Sequence, residues 1–170
     1  IKEESLLRFN PNGIIVNSFS KFFLMTGWRL GWIVSNKDHI KEISKIAMNI
    51  YLSPPSISQY AALEVFKHYS YFDDIVKKYS LNRSFLKKKL NEIGLSKFYL
   101  PNGAFYFYID ISNLTKDSYN FCVDMVKDIN VTVAPGIDFD KKYGNSFIRI
   151  SFAGSKEELS LAIKRIKKWL

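Results

Sequence analysis

The sequence predicts a mixed α/β fold. Short apolar runs that are typical of strands alternate with amphipathic helical patterns along the chain. Ala104–Ile111 is rich in aromatic and β-branched residues, and a long amphipathic pattern covers Phe72–Ile93. With 170 residues, 47% of them hydrophobic, the chain has enough apolar side chains for a core. We expect one domain, or a small domain together with part of another.

The charge of the chain limits its partners. A net charge of +9 is compatible with binding to nucleic acid or to an acidic membrane surface. However, lysines such as Lys87–Lys89 and Lys164–Lys168 lie in helical patterns, interleaved with glutamate and apolar residues, which favours solvated helix faces. No segment has the apolar length that crosses a bilayer, and Ile1–Glu4 does not begin a signal peptide. We therefore expect neither nucleic acid nor a membrane as a partner.

Cysteine and histidine usage gives no indication of a metal site. Cys122 is the only cysteine, which excludes an intramolecular disulfide and a cysteine metal cluster. It falls in an apolar helical pattern, so we expect a buried, inert thiol in a reducing cytoplasm. His39 and His68 lie in helical patterns without metal-ligand companions, and we expect surface or cap histidines and no metal.

In the first part of the chain, a polar connector is expected to end in a turn at Asn10–Gly13. Two short apolar runs then predict buried strands, and helical stripes separated by Ser53–Pro55 predict two helices. Gly94 is expected to end the long third helix. The predicted elements are strands at Gly13–Val16 and Trp32–Val34, a helix from Asn36, a helix from Ser56 or Ser58 through Phe66, and a helix at Phe72–Ile93.

In the second part, aromatic and β-branched runs separated by turn residues predict strands that alternate with helices. Ser155 and Glu158 have the spacing of a capping box at the start of the last helix. The predicted elements are strands at Phe98–Leu100, Ala104–Ile111, Val131–Ala134 and Phe147–Phe152, and helices at Ser118–Asp128 and Lys156–Leu170.

The stretch Val16–Trp32 carries the most informative chemistry. Lys21 lies between the two predicted buried strands, where desolvation favours the neutral amine. A neutral amine binds aldehydes covalently, and pyridoxal phosphate is the commonest aldehyde cofactor. Its phosphate needs anchors, and Ser18, Ser20 and Arg29 lie within eight residues of the lysine. The alternative is a basic loop with nothing bound.

Ser18–Lys21 followed by Met25–Trp32 closely resembles the cofactor-lysine signature of class I/II aminotransferases, which are fold-type I pyridoxal phosphate enzymes. The resemblance implies that Lys21 is catalytic and binds the aldehyde of pyridoxal 5'-phosphate, while the upstream serine and the arginine hold the phosphate. The residues implied in cofactor binding are Ser18, Ser20, Lys21 and Arg29.

A second set of residues lies near the end of the chain. Arg149 is flanked by alternating apolar residues on a predicted strand, and it needs an anionic partner if it faces inward. Phe147–Ala153 resembles the family's strand whose arginine binds the substrate α-carboxylate, which implies that Arg149 binds substrate. A structural salt bridge and an outward-facing arginine are the alternatives. Val133–Phe139 resembles a loop that closes over the active site in many members.

The resemblance extends over almost the entire chain but corresponds only to the later half of a typical member. It implies the end of the large cofactor-binding α/β domain at 1–70, a long connecting helix at 71–95 and the small C-terminal α/β domain at 96–170. Asn49–Gln59 occupies the position where the family places residues near a dimer interface, which implies a homodimer in the full-length enzyme. Tyr51 is a possible ligand there, although a packed interface aromatic fits the pattern better.

The implied function is transamination between an L-amino acid and a 2-oxo acid, of the aspartate, alanine or aromatic aminotransferase type. No aspartate for the pyridine nitrogen, no ring-stacking aromatic and no phosphate-binding glycine loop is recognisable before Lys21, so we expect the fragment alone to be inactive. The alternatives are a pyridoxal phosphate-dependent lyase of the same fold, a pyridoxal phosphate-binding sensor domain of a transcription regulator, and a noncatalytic module.

Overall fold

The structure, a computed structural model, describes residues 4–170. Residues 1–3 lie outside the described residues. The start of the expected polar connector and most of Ile1–Glu4, where no signal peptide is expected, fall in this part of the chain. The chain divides into two compact units, one ending at Val76 and the other comprising Lys77–Leu170. Each unit contains helices and a small antiparallel sheet, which confirms the predicted α/β class. Within residues 4–170, no helix combines the length and the apolar character needed to span a membrane.

The first unit is built on a two-stranded antiparallel ribbon followed by helices. The side chain of Asn36 accepts a hydrogen bond from the His39 N–H and caps the first helix, as a residue before a helical stripe is expected to do. The elements are β1 at Ile15–Ser18, β2 at Gly31–Val34, α1 at Lys37–Ile50, α2 at Ser56–Val65 and α3 at Tyr69–Glu92, which continues into the second unit.

Strand β1 begins two residues later than predicted. The turn before it is closed by the Gly13 N–H, which donates to the Asn10 carbonyl at 2.9 Å. The Gly13 carbonyl in turn accepts the Ser35 hydroxyl at 3.0 Å. Because these bonds engage the start of the apolar run, strand pairing begins only at Ile15, opposite Val34.

The prediction that the two strands are buried is wrong for this chain. Val16 is 74% exposed, and Ile33 and Val34 are 39% and 42% exposed. The apolar cluster of the first unit is formed instead by the loop between the strands and by the helices after them. Its buried members are Phe19, Phe23, Met25, Ala62 and Phe72. An apolar run indicates that its side chains favour burial, but it does not show which other segment covers those side chains.

The second unit packs a three-stranded antiparallel sheet against helices. The strand order is β3-β5-β4, with β5 in the centre. Alternate residues point to opposite faces, so Phe107 and Ile109 of β3 join Ile148 and Ile150 of β5 in a buried core, together with side chains of the helices. The elements are β3 at Tyr106–Asp110, α4 at Ser118–Ile129, β4 at Ala134–Pro135, β5 at Phe147–Ser151 and α5 at Lys156–Trp169.

Two predicted strands of this unit are shorter than expected. Phe98 forms only an isolated bridge with Ile109, and its neighbour Tyr99 is 97% exposed. In the run at Val131–Ala134, pairing with β5 begins only at Ala134. The reason is local, since the Val131 N–H donates to the carbonyl of Met125 at 3.3 Å and completes the end of α4.

The predicted helix boundaries at Gly94 and Ser155 are confirmed. Gly94 follows α3 with a φ of +84°, a conformation that glycine adopts without steric cost. At the start of α5, the Ser155 hydroxyl accepts the Glu158 N–H at 3.1 Å and the Glu158 carboxylate accepts the Ser155 N–H at 2.8 Å. These two bonds form the capping box that the sequence predicts.

Candidate functional site

The loop at residues 19–30, here called the lysine loop, joins β1 to β2. Ser18 pairs with Gly31 in the last register position of the ribbon, and the Phe19 N–H donates to the Leu30 carbonyl at 3.1 Å. Both ends of the loop are therefore held together at its base. The ribbon supplies a fixed frame for the residues between them, including Lys21.

Apolar side chains anchor the body of the lysine loop. Phe19, Phe23 and Met25 are buried, and the Met25 N–H donates to the Phe19 carbonyl at 3.2 Å. Lys21 is exposed and lies between two of these anchors. The desolvation expected for Lys21 from two buried strands is therefore absent within this chain, because the strands themselves are exposed.

The candidate phosphate anchors lie at the two ends of this loop. The Ser18 hydroxyl accepts the N–H of Ser20 at 3.0 Å, which bends the chain just before Lys21. At the other end, the Arg29 guanidinium donates to the Thr26 carbonyl at 2.7 Å. Ser18 pairs with Gly31 across the ribbon, and Arg29 lies two residues before Gly31 in the chain.

The lysine loop holds strained backbone. Leu24 and Arg29 are non-glycine residues with φ values of 55° and 50°. Such left-handed residues cost about 1–3 kcal/mol each and concentrate at functional sites. At the base of the loop, a Cβ on Gly31 would lie 2.6 Å from the Asn17 carbonyl oxygen, so the two strands approach there as closely as only glycine permits.

A groove of about 610 Å³ lies beside the lysine loop, within the first unit. The ribbon and α1 form its walls, and the segment around Pro54 closes it. Arg29 and Tyr51 both line it, together with apolar side chains such as Ile43. Tyr51 is 58% exposed within this chain, as the surface of one subunit at an interface would be, so its role as ligand or as interface aromatic stays a prediction.

Arg149 lies in the second unit, on the face of the central strand β5 that is turned away from the core. Its neighbours across the sheet are Tyr108 of β3 and Ala134 of β4. The guanidinium carbon is 4.1 Å from the centre of the Tyr106 ring and 4.0 Å from the centre of the Phe139 ring. Within residues 4–170, Arg149 has no carboxylate at ion-pair distance. The structural salt bridge considered from the sequence is therefore not found there, whereas the alternative of an outward-facing arginine agrees with this position on the outer face of the sheet.

Sequence reasoning missed both ring partners of Arg149. Tyr106 could have been found, because it lies on the same face of β3 as Tyr108, the residue directly opposite Arg149. Phe139 carries no such periodic signal, since it follows the short 3₁₀ turn Gly136–Asp138 rather than lying on a strand.

The segment Ala134–Ser146, here called the glycine loop, is held tightly against the sheet. Gly136 packs on the backbone of Gly144 so closely that a Cβ would lie 2.5 Å from the Gly144 carbonyl oxygen. The Tyr108 hydroxyl donates to the Gly136 carbonyl at 3.4 Å. Burial raises the pKa of the Tyr108 phenol, and the charge of Asp140 adds to this. Tyr108 therefore remains a neutral donor at physiological pH.

The remaining titratable candidates have structural partners. Cys122 is buried as expected, and burial, with a smaller effect of Asp138, raises the pKa of its thiol to about 11. The His39 ring lies 3.0 Å from the Ser35 hydroxyl, and His68 lies 3.5 Å from Glu64. In the part of the chain that the structure describes, no three histidine, cysteine or acidic side chains are grouped as metal ligands.

Comparison of the fold with solved structures identifies the class of protein. The chain superimposes over 99% of its length on a crystal structure of an aminotransferase from Mycobacterium tuberculosis, with a TM-score of 0.94 and 39% identity, and covers 44% of that chain. An aromatic aminotransferase from Pyrococcus horikoshii matches over 92% of this chain and 42% of its own, with a TM-score of 0.83 and 36% identity. The fold is thus that of the later part of an aminotransferase.

The sequence then gives the family. A family model for aminotransferase class I and II matches residues 4–166, and the chain therefore belongs to this family. This confirms the resemblance seen around Lys21. Members of the family generally depend on pyridoxal phosphate.

The curated relatives differ in their named activities. The valine–pyruvate aminotransferase of Mycobacterium tuberculosis is 42% identical over 161 residues, which are 94% of this chain and 42% of that protein. The (5-formylfuran-3-yl)methyl phosphate transaminase of Methanocaldococcus jannaschii is 35% identical over 98% of this chain and 45% of its own length. The chain thus spans less than half the length of these relatives.

Proposed function

We propose that the protein containing this chain catalyses pyridoxal phosphate-dependent transamination between an L-amino acid and a 2-oxo acid. The observation that supports this most directly is the lysine loop, in which Lys21 stands on a strained, closed turn between two hydroxyls and a guanidinium. Family membership supports the same reaction. Aspartate, alanine and aromatic amino acids are the substrates we favour, and the 170-residue chain alone is inactive in this proposal.

The donor set of the lysine loop fits this cofactor. Ser18 and Ser20 carry hydroxyl donors, and Arg29 carries a guanidinium whose fork matches phosphate oxygens. Among residues 4–170, the Arg29 guanidinium donates to the Thr26 carbonyl alone, so further N–H groups are available to an anion.

In this proposal the chain's own residues bind and orient the reactants. The cofactor, when bound, supplies an aldehyde and an electron-withdrawing ring that lowers the energy of negative charge on the substrate α-carbon. Lys21 would hold the cofactor aldehyde through Nζ, and its free amine would take the proton from the substrate α-carbon. Arg149 binds the substrate α-carboxylate in a fork-to-fork pair, which orients that C–H bond.

The proposal extends to domains, assembly and compartment. Residues 1–70 form the end of a large cofactor domain, 71–95 the connecting helix and 96–170 the small domain. A homodimer is supported by the apolar side chains that α1, α2 and the segment between them leave exposed, which is typical of an interaction surface. They are Ile46, Met48, Ile50, Tyr51, Leu52, Ile57, Tyr60 and Leu63. A cytoplasmic location is supported by the single cysteine.

The test uses the longest gene product that contains this chain, assayed with pyridoxal phosphate, a panel of L-amino acids and a 2-oxo acid acceptor. Lys21→Ala should lower kcat at least about a hundredfold, because it removes the group that moves the proton. The matched control is Lys41→Ala, which removes an exposed lysine of α1 and should leave the rate unchanged.

The products of this assay distinguish transamination from the alternative functions. Equal amounts of new 2-oxo acid and aminated acceptor support transamination. Release of ammonia without an aminated acceptor would contradict transamination and indicate a lyase of the same fold. Cofactor binding without turnover, together with specific binding to duplex DNA, would indicate a sensor domain instead.

A further inference from the structure

The outer face of the β3-β5-β4 sheet carries an arginine between aromatic side chains. Arg149 is half-buried on the central strand, although it has no recorded carboxylate partner within residues 4–170. The rings of Tyr106 and Phe139 are the contacts that the structure records for its guanidinium, at 4.1 and 4.0 Å. Both contacts lie within the distance at which a cation is attracted to the face of a ring.

The two rings occupy different sides of the same group. Carbon atoms approach each other to about 3.5–4.0 Å at optimal contact, so two rings whose centres both lie about 4 Å from the guanidinium carbon must lie in different directions from it. They also come from different parts of the unit, since Tyr106 belongs to β3 and Phe139 to the glycine loop. Neither ring takes a conventional hydrogen bond from the guanidinium, so its N–H groups keep their capacity to bind an anion.

We propose that Tyr106 and Phe139 are positioning residues that hold the guanidinium of Arg149 between their rings and leave its N–H edge to bind a carboxylate. The inference rests on the proposed function for the identity of that carboxylate, the α-carboxylate of an amino acid or 2-oxo acid. The rings supply no proton and no charge. They restrict the rotation of a long side chain, so that less conformational freedom is lost when the anion binds.

The backbone presents the Phe139 ring firmly. The Phe139 N–H donates to the Gly136 carbonyl at 2.9 Å, and the Asp140 N–H donates to the same oxygen at 3.0 Å. The Asp140 carboxylate accepts the N–H groups of Lys142 and Tyr143 at 2.8 and 3.0 Å. These bonds, with the close Gly136–Gly144 packing, fix the backbone that carries the Phe139 ring, which is itself 50% exposed.

The test measures the Arg149 side chain directly in the 15N-labelled longest gene product that contains this chain. The Nε–Hε signal of Arg149, assigned by its loss in Arg149→Gln, should lie upfield of the other arginine signals because of the two rings. Phe139→Leu and Tyr106→Leu should each move it toward those signals, whereas Phe139→Tyr and Tyr106→Phe keep the rings and should keep the shift. An Arg149 signal among those of exposed arginines, or one that neither leucine variant moves, would overturn the proposal.

The matched control is Phe147→Leu. Phe147 lies on the same strand and face as Arg149, but its ring stacks on Tyr108, at 4.8 Å and 5° between planes. Its removal should leave the Arg149 signal in place. A shift as large as that of Phe139→Leu would instead mean that any loss of a ring on this face disturbs the arginine, which contradicts a specific positioning role.

A titration with pyruvate separates this proposal from the proposed function. Pyruvate should move the Arg149 signal, and Phe139→Leu should weaken its affinity by about tenfold, within the range of a lost cation–π contact, with recovery in Phe139→Tyr. If pyruvate moves no Arg149 signal while the leucine variants still do, the carboxylate assignment in the proposed function fails and the holding of the guanidinium stands. Equal pyruvate affinity in the wild type and Phe139→Leu would overturn the positioning role.

Discussion

Cys122 lies on the buried face of α4, only 6% exposed. Burial, with a smaller effect of Asp138, raises the pKa of its thiol from 9.0 to about 11. The folded protein thus binds this proton more tightly than the unfolded chain does. The contribution of the thiol to stability is fully present below about pH 9 and is lost as the pH rises through about 11.

We expect the free energy of unfolding to fall by about 1–2 kcal/mol from this one group between pH 9 and pH 11. Tyrosine and lysine also titrate in this window, so the test compares urea unfolding of the wild type with that of Cys122→Ala at both pH values. The variant should lose less stability across the window than the wild type does. Equal losses would show that Cys122 ionises as an exposed thiol would.

At the scale of elements, the glycine loop is the segment whose packing tolerates least change. A Cβ on Gly136 would lie 2.5 Å from the Gly144 carbonyl oxygen and 2.7 Å from the Phe147 carbonyl oxygen. Neither atom belongs to a flexible side chain, so the backbone itself would have to move. The loop carries Phe139 against Arg149, and the same movement would displace that ring.

Gly136→Ala should therefore lower the free energy of unfolding by about 1–3 kcal/mol, the usual cost of overpacking. The matched control is Gly103→Ala, because a Cβ on Gly103 would meet no atom within 4 Å. Urea unfolding of both variants checks the difference. If the two alanine variants are equally stable, the close packing of the two glycines is not a constraint in solution.

The elements also show what the sequence could predict and why. The boundaries set by local chemistry, such as the Ser155 and Glu158 capping box, were predictable because the interactions span only a few residues. The shortening of the strand at Val131–Ala134 could not be predicted in this way, because the N–H of Val131 bonds to α4 instead of to β5. The Phe139 contact with Arg149 was equally hidden, since it depends on how a nonperiodic loop folds back on a sheet.

The candidate site, like the elements, was predictable only where a short local pattern defines it. A short local pattern predicts Lys21 with its serines and Arg29, and the structure shows that the loop between Ser18 and Gly31 is closed at its base. The burial of the two flanking strands was not correctly predicted. Val16 is 74% exposed because no segment within residues 4–170 covers it. Whether a strand is covered depends on distant parts of a chain, which local periodicity does not describe.

At the scale of the whole molecule, family membership and length must be considered together. The chain belongs to the class I and II aminotransferases, yet it spans 42% of a relative such as the valine–pyruvate aminotransferase of Mycobacterium tuberculosis. The large exposed apolar side chains of the first unit are consistent with surfaces that associate with further protein. The central claim is that Lys21 is the residue that binds the cofactor covalently.

The most direct measurement of that claim is borohydride reduction of the longest gene product containing this chain, in the presence of pyridoxal phosphate, followed by peptide mass mapping. The absorbance in the visible range should disappear on reduction, and the reduced adduct should be found on Lys21 alone. Lys21→Ala should show no adduct at a single site. An adduct on another lysine, adducts spread over many lysines, or an undiminished visible band in Lys21→Ala would contradict the assignment.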